Sequence, residues 1–194
     1  MSGILTFTLA WKMNGQCYKD LPLEELSQAE ISSLQWMREE EMLAHDVYAR
    51  LAEEYTVPVF QNIAKSEMQH TTSIAGLLER YGVEDPAADH VPGKFSSPEI
   101  QSLYDQLVKQ GTSSWEEAVK VGLQIEDMDI ADLDKAIAEQ VDNQDILMVY
   151  NNLLRGSANH MNAFWRHASR NAIDWEPEHI SREKLDGILG YEGK

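Results

Sequence analysis

One cysteine, Cys17, is all that this chain of 194 residues carries. It therefore forms no internal disulfide and builds no thiolate cluster of the iron–sulfur or rubredoxin kind. Proline and glycine are sparse, at 6 and 11 residues, so little interrupts a helix. No apolar run approaches the length of a membrane span. A brief apolar patch, Ile4 to Trp11, lacks the basic flank and small-residue cleavage site of a signal peptide. The expected compartment is the cytoplasm. Basic residues are outnumbered, 16 against 33 acidic ones, for a formal net charge of −17. Such a surface repels nucleic acid and anionic lipid and concentrates cations, so neither nucleic acid nor membrane is expected as a partner.

The length suits one domain with a sizeable core, and long stretches carry the helical period. Ser27 followed by Glu30 is a capping box that opens a helix from 28 to about 55. Pro58 starts a second helix that stops at Tyr81, with Gly82 as its C′ residue. The short joint between them makes an antiparallel pair. Pro86 and Pro92 mark the connector 83–97, and a short helix follows over 98–109, stopped by Gly111. Thr112 or Ser113 is the expected cap of a third long helix over 114–139, and a fourth covers about 143–170. This divides the chain into a leader (1–26), a bundle (27–170) and a peripheral tail (171–194). The fold class is all-α, a four-helix bundle with one long crossover that carries a short extra helix.

Each long helix sets a polar group into its apolar stripe. On the second, Phe60, Ile63, Ala64, Ile74, Leu77 and Leu78 define the face, and Glu67 and His70 fill its gap. Glu41 fills the gap in the stripe of Leu34, Met37, Ala44, Tyr48 and Leu51. Glu40 shares a neighbouring face, and periodicity alone does not choose between the two. Glu126 lies at the centre of the Val119, Leu123, Ile130 and Leu133 face, whereas Asp127 and Asp129 fall toward the surface on the wheel. On the fourth helix Ser157 and His160 stand among Ile146, Tyr150, Leu153 and Phe164. Buried carboxylates and imidazoles are costly unless something pairs with them, and a metal is one such partner. His45 falls on a flank, and Trp36, Trp115 and Trp165 read as packing.

The segments EEEMLAHDVY, FQNIAKSEMQH, VGLQIEDMDIADL and VYNNLLRGSANHMNAF carry a resemblance over residues 27–170. The pattern resembles the ferritin-like superfamily of carboxylate-bridged dimetal bundles, which includes bacterioferritin and rubrerythrin. It is most similar to an uncharacterised prokaryotic ferritin-like family. In that superfamily a buried Tyr follows the first-helix Glu by seven residues, a spacing that Glu41 and Tyr48 match. The resemblance implies Glu41, Glu67, His70, Glu126 and His160 as metal ligands and Tyr48 as a proton donor. It implies iron, two ions per chain, with manganese or zinc possible, and a ferroxidase or peroxidase type of oxidoreductase. Dioxygen or peroxide, an external electron donor and a possible homodimer are the partners implied. One departure is Ser157, where the superfamily pattern has Glu; this puts filling of the second metal position at issue. The alternative reading is a carrier or sensor without turnover, with one metal per chain.

Overall fold

Ser27 accepts from the Glu30 amide at 3.2 Å while the Glu30 carboxylate accepts from the Ser27 amide at 2.8 Å, closing the capping box. Such a cap contributes about 1 kcal/mol. It opens α1 (Gln28–Glu54) in the computed structural model, which describes residues 12–13 and 16–190. The apolar patch at 4–11 lies outside the described residues. Before α1 there are two paired two-residue strands, β1 (Lys12–Met13) and β2 (Gln16–Cys17), and a 3-10 turn at Tyr18–Asp20. The remaining elements are helices: α2 (Pro58–Tyr81), α3 (Pro98–Gly111), α4 (Trp115–Glu139), α5 (Gln144–Arg170) and α6 (Arg182–Leu189).

The architecture is an all-α bundle of four long helices, α1, α2, α4 and α5, with α3 in the crossover between the second and third. Gly82 ends α2 at φ 64°, a left-handed turn that glycine adopts without strain. The cap of α4 is Ser114, not Thr112 or Ser113; its side chain accepts from the Glu117 amide at 3.2 Å. Thr112 instead closes α3, returning its hydroxyl to the Val108 carbonyl at 2.8 Å.

Polar residues of α1 hold the crossover in place. Arg38 pairs with Asp85 at 3.0 Å, and Asp46 accepts from His90 at 2.8 Å and from the Gly93 amide at 2.6 Å. The tail is likewise docked. Asp127 accepts the amides of Glu178, His179 and Ile180 at 2.8 to 3.0 Å, and Leu185 of α6 is fully buried. Asp127 is thus interior where the wheel places it outside, because the chain beyond α5 folds back over it.

The apolar core falls into two halves. One gathers Leu43, Val47, Tyr48, Leu51, Phe60, Leu123 and Phe164; the other gathers Leu34, Met37, Ile74, Leu77, Leu133, Val149, Tyr150 and Leu153. Between them lies a polar layer. Among the described residues, no helix is long and apolar enough to cross a membrane.

Candidate metal centre

Glu41, Glu67, Glu126 and Ser157 each stand near the middle of a long helix. Helices of similar length packed side by side bring their midpoints to one level, so four separated segments of sequence meet in one layer. Glu41, Glu67, His70, Glu126 and His160 are all buried there.

Their donor atoms form two overlapping sets. Glu41, Glu67 and His70 each offer a ligand atom within 4.8 Å of the others, and so do Glu67, Glu126 and His160. His70 Nδ1 lies 2.8 Å from Glu67 Oε2 and 3.2 Å from Glu41 Oε2. His160 Nδ1 lies 2.8 Å from Glu67 Oε1 and 3.5 Å from Glu126 Oε2. Adjacent ligands on an ion with bonds of about 2.1 Å stand about 3 Å apart. Glu67 therefore presents one oxygen to each set, the disposition of a bridging carboxylate. These buried groups could hold metal ions.

Neighbouring groups fix the orientations of these side chains, as outer-shell hydrogen bonds do for the ligands of metal sites. His160 Nε2 contacts Ser66 Oγ at 2.9 Å, which turns Nδ1 toward the carboxylates. Tyr48 donates to Glu126 Oε1 at 2.5 Å. The His70 and His160 rings stack with centroids 5.4 Å apart. Gly156 explains how His70 fits: a Cβ at that position would run into its imidazole, so α5 approaches α2 closely only with glycine there.

Burial and mutual pairing shift the titration of all five groups. Burial pushes the Glu41 carboxyl up to about 7, although the imidazole of His70 pulls the other way. Burial also raises Glu126, against the pull of His160. Burial opposes ionisation of Glu67 too, but there His160 and His70 together outweigh it and hold the carboxyl below the usual range. Burial alone would lower both imidazoles, yet Glu41 and Glu67 raise His70, and Glu67 and Glu126 raise His160 to about 10. The Tyr48 phenol, raised by burial and by Glu126, keeps its proton.

The three consecutive glutamates of α1 separate cleanly. Glu39 accepts the amides of Ser96 and Ser97 at the start of α3, at 2.8 and 3.2 Å. Glu41 faces His70 of α2, and Glu40 faces Trp36 and Asp132 of α4. None of the three forms a solvated acidic face: all are buried. His45 gives its Nδ1 to the Ala64 carbonyl at 2.7 Å and stays on the flank. Trp115 packs edge-on against Tyr55 and Phe60.

Asp129, like Asp127, is interior where the helical period places it at the surface. It is 6% exposed, and Ser157 donates its hydroxyl to Asp129 Oδ2. A short polar side chain on the facing helix, rather than any signal local to α4, is what admits it to the interior. Ser157 is thereby engaged with Asp129 and with the Leu153 carbonyl. Glu40, Glu41, Glu67, Glu126 and Asp129 line a cavity of about 10 Å³, room for one molecule of the size of water.

Residues 30–192 match the family described as "Uncharacterized protein domain (DUF2202)". The chain is 44% identical over 169 residues to "Uncharacterized protein MJ0754" of Methanocaldococcus jannaschii, covering 87% of this chain and 91% of that protein. A crystal structure of hypothetical protein MJ0754 from Methanococcus jannaschii shares the fold. Its TM-score is 0.85 at 44% identity, over 88% of this chain and 97% of that one.

Proposed function

We propose a function for this chain, which belongs to the DUF2202 family: it is a non-haem dimetal carboxylate protein, di-iron in its working form, and an oxidoreductase of ferroxidase or peroxidase type. The observation that carries the reading is the sharing of Glu67 between two donor sets, one completed by Glu41 and His70, the other by Glu126 and His160. Three carboxylates and two imidazoles are donors suited to iron or manganese and tolerant of zinc. Two divalent ions bring four positive charges against three negative ones, which removes most of the cost of burying the glutamates. Membership of the ferritin-like superfamily is part of the same proposal; one crossover between the second and third long helices supports it.

When bound, a redox-active ion pair supplies electron exchange with dioxygen or peroxide, and an external donor restores its reduced state. The protein residues hold, orient and shield. Glu67 spans both positions. The Tyr48 hydroxyl oxygen, 2.5 Å from Glu126 Oε1, keeps its proton between the two, where it orients that carboxylate and can be passed on. The apolar halves of the core above and below the layer exclude bulk water. A cavity of about 10 Å³ favours a small oxidant over an organic substrate.

A second reading, a carrier or sensor without turnover, draws support from Ser157, which gives its hydroxyl to Asp129 and supplies no carboxylate. One experiment separates the two. Metal-free protein is loaded with iron(II), then exposed to dioxygen or to hydrogen peroxide, and oxidation is followed optically. Oxidation of two iron(II) per chain, faster than in buffer, is expected; binding without faster oxidation would leave the carrier reading standing.

A further inference from the structure

Three carboxylates near the centre belong to neither donor set, and they extend from the surface to it. At the outer end is a surface cleft of about 430 Å³ between α1 and α4, lined in part by Ser33, Trp36, Met37 and Asp132. Trp36 is exposed there, and its indole N–H donates to Asp132 at 3.0 Å. Glu40 lies beside the same N–H; burial, and then the neighbouring Asp132 and Glu41 carboxylates, work against its charge. Glu40 in turn lines the small inner cavity with Asp129, Glu41, Glu67 and Glu126.

The inner carboxylates are not satisfied by the protein. Glu40 Oε2, Glu41 Oε1 and Asp129 Oδ1 are buried without a hydrogen-bond partner, in residues only 5%, 2% and 6% exposed. A buried carboxylate oxygen with no partner is costly, and native structures seldom keep one without a use. Glu41 has a use as a ligand. Glu40 and Asp129 have none in the two donor sets, yet both face the cavity that adjoins them. Spaced carboxylates from a cleft to a buried cluster are what a hydrated cation needs in order to shed water stepwise.

We propose that Asp132, Glu40 and Asp129 form the entry route of a divalent cation, running from the Trp36 cleft between α1 and α4 to the metal centre. The route rests on the metal-binding reading above, and its test keeps the two apart. Metal-free protein is mixed rapidly with cobalt(II), whose visible absorption reports arrival in the centre, and the final ions per chain are counted. Glu40→Gln and Asp132→Asn keep side-chain size but cannot carry charge. Asp134→Asn, at an exposed pair with Lys184, is the control.

Uptake slowed about tenfold in both Glu40→Gln and Asp132→Asn, with ions per chain unchanged and the control at the native rate, is the expected result. Native rates in either variant would overturn the route as drawn. Fewer ions per chain in Glu40→Gln would overturn it too, by making Glu40 a ligand. Native protein that takes up no cobalt(II) would remove the metal centre itself, and the route with it.

Discussion

Binding of metal ions at pH 7 must expel protons from the centre, and the number is set by the groups that hold them. His160 is raised to about 10 by Glu67 and Glu126, overcoming burial, and His70 is raised by Glu41 and Glu67 in the same way. Both imidazoles are therefore charged in metal-free protein at pH 7. Glu41, raised by burial to about 7, is about half protonated there. A ligating imidazole must be neutral and a ligating carboxylate ionised. Filling both positions should then release about two protons per chain from the imidazoles, with Glu41 and Glu126, both raised by burial, adding to the total. Protons compete with the metal, so affinity must rise with pH. Across the pH range in which both imidazoles titrate on binding, the product of the two binding constants should change roughly a hundredfold per pH unit. Calorimetric titration of metal-free protein with manganese(II), repeated in buffers of different ionisation enthalpy, measures the release directly. The slope of observed enthalpy against buffer enthalpy counts the protons. A slope near zero, in a protein that does bind the ion, would refute the claim that His70 and His160 are ligands.

Other consequences are open to simple measurement. In metal-free protein the folded state holds its imidazole protons more tightly than the unfolded state does. The stabilisation this gives is complete below about pH 6.5 and lost as pH rises toward about 10. The melting temperature should fall over that window for chelated protein and far less for loaded protein. At neutral pH, chelation should lower the melting temperature, because an ion at a hundredfold excess over Kd adds about 2.7 kcal/mol per site; no change after proven removal of metal would contradict a centre in the core. Glu67→Ala should lose metal at both positions, whereas His45→Ala, whose ring is spent on the Ala64 carbonyl, should keep its ions. Equal loss in both, measured as metal per folded chain, would make His45 a ligand as well and contradict its place on the flank. Gly156→Ala should displace His70, cost about 1–3 kcal/mol in denaturant unfolding, and weaken the ion bound by Glu41, Glu67 and His70.

The helices were legible because their starts and stops have local causes. Ser27 with Glu30, Pro58 and Gly82 mark ends that depend on nearby backbone groups alone. Glu67 and His70 were legible for a related reason: α2 has one buried face, and they interrupt it. The helix α1 is different. It meets α2, α4 and the crossover on separate sides, so Glu39, Glu40 and Glu41 are all interior and no single stripe distinguishes them. Asp127 and Asp129 escaped because their cover comes from elsewhere, the returning tail for one and Ser157 for the other. A helical wheel registers where a side chain points. It does not register what the rest of the chain later lays over it.

Crystals of protein loaded with manganese(II) or iron(II), measured at an energy where the metal scatters anomalously, give the most direct test. Two peaks inside the bundle are expected, about 2.0–2.3 Å from their ligands. One should be bounded by Glu41, Glu67 and His70, the other by Glu67, Glu126 and His160, with a separate oxygen of Glu67 on each. Anomalous density only at exposed acidic residues, or none in the polar layer between the two halves of the core, would contradict the dimetal centre.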